Sequence, residues 1–141
     1  MTALDSNVLI ALWDPDPAVH RPVLETLDAL QGRGGLMVSA PVFSELRAGP
    51  GRSDGVLDRF FANTGIAVDW AITQAMWRAA GAAFQTHAAR RAATRPRRIL
   101  ADFLVGAHAQ QRCDRLYSLD TALYATAFPK LELAGAGRTV S

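Results

Sequence analysis

Ile99-Leu100-Ala101-Asp102-Phe103-Leu104-Val105-Gly106-Ala107-His108-Ala109 is the stretch on which the fold turns. Apolar side chains fall at nearly every angle around a helix drawn through it, so a helix from Ile99 to Arg112 is expected to be buried almost all round. Outward from it the chain alternates. Downstream, Leu116 to Leu119 reads as a strand and Leu131-Glu132-Leu133 as a short further one. Upstream, Thr2 to Leu4 (running on into Asp5), Leu36-Met37-Val38-Ser39 and Ile66-Ala67-Val68 are apolar runs of strand length. Between them lie helical patterns: Ala18 to Gln31 with Val23, Leu24, Leu27 and Leu30 inward, a helix opening at Pro41 with Val42, Phe43 and Leu46 inward, Val56 to Ala62, and Ile72 to Ala93. Ser6 to Trp13 is mixed, and Thr94 to Arg97 reads as a loop because Pro96 disfavours helix at the residue before it. Strands alternating with helices predict an α/β fold: a mostly parallel sheet of four to five strands covered on both faces.

The 141 residues suit a single domain over 1–141. Half are hydrophobic and a fifth charged, an ordinary globular balance, and no apolar run approaches the roughly 20 residues that span a bilayer. Without a basic segment and long apolar stretch at the N-terminus, a cytoplasmic protein with no membrane contact is expected. Cys113, the sole cysteine, excludes an internal disulfide. Net charge is +2, but Arg90, Arg91, Arg95, Arg97 and Arg98 crowd into nine positions that hold no acid. Such a run is either a solvated face or an anion contact. Its place just before Asp102 favours phosphate, whose oxygens match the guanidinium fork.

Asp102 is out of place in its apolar helix, because an ionised carboxylate stays buried only with a cation or a tight hydrogen-bond network. Three more acids edge apolar segments: Asp5 after the first strand, Glu45 in Pro41-Val42-Phe43-Ser44-Glu45-Leu46, and Asp120 after Leu116-Tyr117-Ser118-Leu119. Each has a plain structural explanation. Asp5 and Asp120 suit helix caps, Glu45 a helix dipole, and Asp102 a pair with Arg98 one turn earlier. Together they say more. All four fall at the carboxyl edge of the predicted sheet, where α/β proteins bind ligands. Carboxylates about 5 Å apart repel by roughly 3 kcal/mol at an effective dielectric near 20, so a cluster recruits a divalent cation or raises its own proton affinities. Oxygen ligands alone indicate Mg²⁺ or Mn²⁺. His20, His87 and His108 show no metal spacing, and His108, almost opposite Asp102 on its helix, is read as structural; Trp13, Trp70 and Trp77 are assigned to the core. Asn7 and Ser118 stand beside two of the acids, suited to orient a water or phosphate, or to serve a turn.

Asp5-Ser6-Asn7-Val8-Leu9, Ser44-Glu45-Leu46, Ala101-Asp102-Phe103-Leu104-Val105-Gly106-Ala107-His108-Ala109 and Ser118-Leu119-Asp120, in that order, resemble a PIN-domain ribonuclease of the VapC toxin type. The similarity runs from about residue 3 to residue 133. It implies a three-layer α/β/α sandwich and a Mg²⁺- or Mn²⁺-dependent endoribonuclease that forms homodimers and is neutralised by a cognate VapB-like antitoxin in a hetero-oligomer. By motif, Asp5 and Asp102 would be the principal metal ligands, and Glu45 and Asp120 would complete a catalytic quartet. Asn7, Ser118, Arg97 and Arg98 are the expected contacts to the RNA substrate. Ser118 stands where a threonine is common, a conservative departure, and the first strand is shorter and less apolar than usual.

Other readings have less support. A haloacid-dehalogenase-like phosphatase would need aspartate at position 7 and a supporting lysine, but position 7 is Asn and the only lysine is Lys130. The same shortage counts against a phosphoreceiver domain. A PIN-like module that binds RNA or a partner without cutting, a processing ribonuclease outside a toxin–antitoxin pair, and a DNA-directed nuclease of related fold remain as alternatives.

Overall fold

The computed structural model describes residues 1–90 and 100–134. Within these residues five strands form one sheet: β1 (Thr2–Leu4), β2 (Leu36–Ser39), β3 (Ala67–Asp69), β4 (Arg115–Tyr117) and β5 (Glu132–Ala134). Among the described residues seven helices accompany them: α1 (Ser6–Leu12), α2 (Pro17–Gln31), α3 (Ala40–Arg47), α4 (Asp54–Thr64), α5 (Gln74–Arg90), α6 (Leu100–Arg112) and α7 (Thr121–Ala127). Strand order is β3-β2-β1-β4-β5 and every pairing is parallel. The crossovers to β2 and β3 run one way along the sheet and those to β4 and β5 the other. Right-handed connections therefore place α1 to α4 on one face and α5 to α7 on the opposite one. The result is an α/β/α sandwich, as its residue pattern predicts.

Burial explains why short strands suffice. All three residues of β1 and of β4 are buried, as expected where helices cover both faces. Leu4, Leu9, Val38, Leu46, Leu57 and Leu116 are fully enclosed, joining sheet and helices in one core. The one charge inside β4, Arg115, sends its guanidinium to Thr2 Oγ1 and to the Glu132 carboxylate, neutralising it at the amino edge. Helix α4 ends at Gly65 in the left-handed region (φ 73°), a conformation that costs glycine nothing.

Boundaries depart from expectation where polar groups act. Strand β1 stops at Leu4, not Asp5, because the Asp5 carboxylate caps α1, which runs from Ser6 to Leu12. Helix α4 extends beyond Val56 to Ala62, since Ser53 caps it by accepting the Val56 N–H. Strand β3 is shifted by one residue to Asp69, and β4 ends at Tyr117, before Ser118 and Leu119. Leu24 is exposed, not inward. So are Trp70 and Trp77, which corrects their assignment to the core: Trp70 lies against Phe43 edge-on with its outer surface in solvent (61% exposed). Only Trp13 packs inward, against Phe60. The segment from residue 91 to 99, with the expected loop and the arginines Arg91, Arg95, Arg97 and Arg98, lies outside the described residues.

Helix α6 shows how closely the layers approach. A methyl group added at Gly106 would fall 2.3 Å from the Phe128 ring. Because Phe128 packs against Phe103 in the core, the ring cannot step aside freely. Gly106→Ala is expected to destabilise the protein by about 1–3 kcal/mol, the usual cost of overpacking. Urea denaturation followed by circular dichroism measures it; an unchanged midpoint would show that the core yields there.

Candidate active site

The sheet reverses direction of growth between β1 and β4, and the residues just past both strands stand where such sheets hold their ligands. Asp5 leaves β1 with extended backbone (φ −79°, ψ 156°) and remains tied to β4 through its N–H to the Tyr117 carbonyl. Its Oδ1 accepts the Ser6 N–H at 2.8 Å. Its Oδ2 accepts the hydroxyls of Ser118 and Tyr124, each at 2.9 Å. Glu45 arrives on α3, the helix that follows β2, and its Oε2 accepts the Ser6 hydroxyl at 3.3 Å. Asp102 comes from the opposite layer, in the first turn of α6. Asp5, Glu45 and Asp102 each bring a carboxylate oxygen to within 4.8 Å of the others.

No described cation compensates them. Among the described residues no arginine, lysine or histidine pairs with these three acids. Arg98, the possible partner for Asp102, and Arg97 lie outside the described residues. Burial and mutual repulsion set the proton affinities. Glu45 is pushed up to about 7, first by burial, then by the charges of Asp5 and Asp102. Asp102 is pushed up to about 6 by burial and by Asp5 and Asp120. Asp5 is raised by burial, although its three hydrogen bonds favour the charged form and oppose that rise. Three carboxyls that resist ionisation, side by side, are a site that a cation would relieve.

Asp120 is set apart. It is exposed at the start of α7 without a side-chain cap bond and is not one of the close trio, yet its charge reaches Asp5 and Asp102. Ser118 and Asn7 join Asp5 in one hydrogen-bonded network. The fully buried Ser118 hydroxyl donates to Asp5 and accepts from Asn7 Nδ2 (3.3 Å) and from the Asp120 N–H (3.0 Å), while Asn7 Oδ1 accepts the Leu119 N–H. The Ser118 hydroxyl thereby links the Asp5 carboxylate to the turn at Asp120. His108 is enclosed and its Nε2 bonds Asp69, in line with a structural role. Tyr124 and Ser6 were not singled out in the sequence. A tyrosine among the small residues of Thr121–Ala127 was the available signal, because a buried phenol needs a partner.

The donor set fits a hard divalent cation: carboxylate oxygens alone, with no sulfur or imidazole. One observation supports this fit directly. Glu45 Oε1 is buried and has no hydrogen-bond partner among the described residues, an arrangement rarely left unfilled. Fold and site together define an α/β/α protein with a carboxylate trio at the switch point of its sheet. Residues 2–129 match the family model of the PIN domain, and the chain belongs to that family. PIN domains are generally nucleases.

Solved structures agree on the fold. VapBC2 from Rickettsia felis, bound to a DNA fragment from their promoter, aligns with TM-score 0.68 at 17% identity over 95% of this chain and 97% of that one. FitAcB from Neisseria gonorrhoeae aligns with TM-score 0.63 at 22% identity, covering 94% and 96%. FitAB bound to an IR36 DNA fragment gives 0.64 at 19% identity, covering 96% and 94%. No curated protein matches the chain in sequence. No helix among the described residues is long and apolar enough to cross a membrane.

Proposed function

We propose that this chain is a Mg²⁺- or Mn²⁺-dependent endoribonuclease, the toxin of a toxin–antitoxin pair, working as a homodimer and held inactive in a hetero-oligomer with a VapB-like antitoxin. The observation that carries the catalytic part is the trio of carboxylate oxygens within 4.8 Å, unpaired with any described cation. Asp5 and Asp102, from opposite layers, would hold the ion, with Glu45 completing the set through its unpartnered oxygen. Bound there, the ion supplies Lewis acidity at a phosphate oxygen. Ser118 and Tyr124 keep the Asp5 carboxylate oriented, and Ser6 does the same for Glu45. Asp120, exposed at the rim, is suited to orient and deprotonate the attacking water. Attack in line on phosphorus would release a 3′-hydroxyl and leave a 5′-phosphate. Arg97 and Arg98 belong to this proposal as contacts to flanking phosphates, fixing register without specifying bases.

The toxin role draws support from the VapBC2 and FitAB complexes among the structural neighbours. The test of the enzymatic proposal is direct. Single-stranded RNA is expected to be cut in Mg²⁺ or Mn²⁺ and to stay intact in EDTA, with 5′-phosphates on the new ends. Cleavage that persists in chelator, or none with either ion, rejects it.

A further inference from the structure

Tyr124 acts on the same carboxylate as Ser118, and counting lone pairs shows what the two hydroxyls do. A carboxylate oxygen offers two lone pairs in its plane. On Asp5 Oδ2 two donors, Ser118 and Tyr124, each lie at 2.9 Å, so that oxygen is filled. Oδ1 has a single donor among the described residues, the Ser6 N–H at 2.8 Å. Neither hydroxyl is free to turn away. The Ser118 oxygen already accepts from Asn7 and from the Asp120 N–H, which leaves its proton directed at Asp5. The Tyr124 side chain is buried (1% exposed), and a hydroxyl swung off Asp5 would lose its bond inside the core. A phenolic hydroxyl carries its proton at neutral pH, so Tyr124 is a donor.

We propose that Tyr124 is a positioning residue that, with Ser118, restricts Asp5 to coordination through one oxygen and thereby selects a small octahedral cation over a larger one. This rests on the reading of Asp5, Glu45 and Asp102 as a cation site. Mg²⁺ takes six ligands in near-ideal octahedral geometry, which one oxygen per carboxylate satisfies. Ca²⁺ takes six to eight ligands and readily accepts both oxygens of one carboxylate. With Oδ2 filled by two buried hydroxyls, Asp5 offers Ca²⁺ no second oxygen.

The ratio of Mg²⁺ to Ca²⁺ affinity reads this out without any catalysis. Bound Mn²⁺ is followed by the loss of its free-ion electron paramagnetic resonance signal and then displaced by Mg²⁺ or Ca²⁺. Tyr124→Phe keeps the ring in the core and removes only the hydroxyl. It is expected to move the ratio toward Ca²⁺ by about tenfold, at the lower end of effects from groups that support metal ligands. Ser118→Ala, which opens another position on the same oxygen, is expected to move it in the same direction. A purely structural role for Tyr124 would alter the melting temperature and leave the ratio in place. Wild-type protein that binds Mn²⁺, an Asp102→Asn variant that does not, and an unchanged ratio in Tyr124→Phe would overturn the selectivity proposal alone. Wild-type protein that binds no Mn²⁺ would overturn both this proposal and the cation site beneath it.

Discussion

Asp102→Asn is expected to lower metal-dependent RNA cleavage by at least about a thousandfold, because ion-assisted phosphoryl transfer draws several kcal/mol from the metal and each tenfold is about 1.4 kcal/mol. The same substitution is expected to raise the melting temperature in ion-free buffer at pH 8. The two effects share one origin. Asp102 sits in the first turn of an apolar helix, pushed up to about 6 by burial and by two neighbouring acids, so its ionised form opposes folding. Asparagine keeps the shape and removes the charge. Loss of function with gain of stability is the signature of a group held in place against the fold's preference. Turnover assays and thermal melts on one preparation measure both. A variant that keeps wild-type metal-dependent turnover would remove Asp102 from the site; one that loses activity and stability together would mark it as a structural residue.

Ion-free protein is expected to become less stable as pH rises from 5.5 to 8.5, by about 2 kcal/mol once the shifts are discounted for the solvent that still reaches these half-buried groups. That corresponds to a fall of roughly 6–10 °C in melting temperature. The direction follows from proton counting. Glu45 titrates near its ordinary value of 4.5 in the unfolded chain and at about 7 in the fold, and Asp102 near 3.8 and at about 6. Between those limits the folded chain holds more protons than the unfolded one. Raising the pH therefore favours unfolding until each folded-state group has ionised. Divalent ions act oppositely, because they bind the ionised carboxylates: Mg²⁺ or Mn²⁺ at about a hundred times its dissociation constant restores roughly 2.7 kcal/mol at the alkaline end. Melts across this range, with EDTA and with each ion, test it. The double variant Glu45→Gln, Asp102→Asn is expected to flatten the profile, and a slope that survives in it would assign the effect to other groups.

Most of the architecture was legible before any coordinates. Runs such as Leu36–Ser39 and Leu116-Tyr117 are too short and too apolar for anything but covered strands, and the helical spacing between them implies a parallel sheet. Element ends were less legible, because they were decided by single side chains: the Asp5 carboxylate that closes β1 and the Ser53 hydroxyl that opens α4. Trp70 and Trp77 show the limit of composition as a guide. Large aromatic rings are assigned inward on average, but these two follow the edge strand β3 and enter the first turn of α5, where no further layer of the described residues covers them.

The same division runs through the site. The order of residues alone determined that Asp102 is anomalous, since a carboxylate in an apolar helix is a local contradiction that one segment displays by itself. It also determined the alternation of elements, because hydrophobic periodicity is written in consecutive positions. Only the tertiary structure decided that Asp5, Glu45 and Asp102 meet while Asp120 stands at the rim, and that Ser118 and Tyr124 converge on one oxygen of Asp5. Those distances depend on strand order and on which face each crossover takes. They arise from contacts between positions as much as 119 residues apart, and no local pattern encodes them.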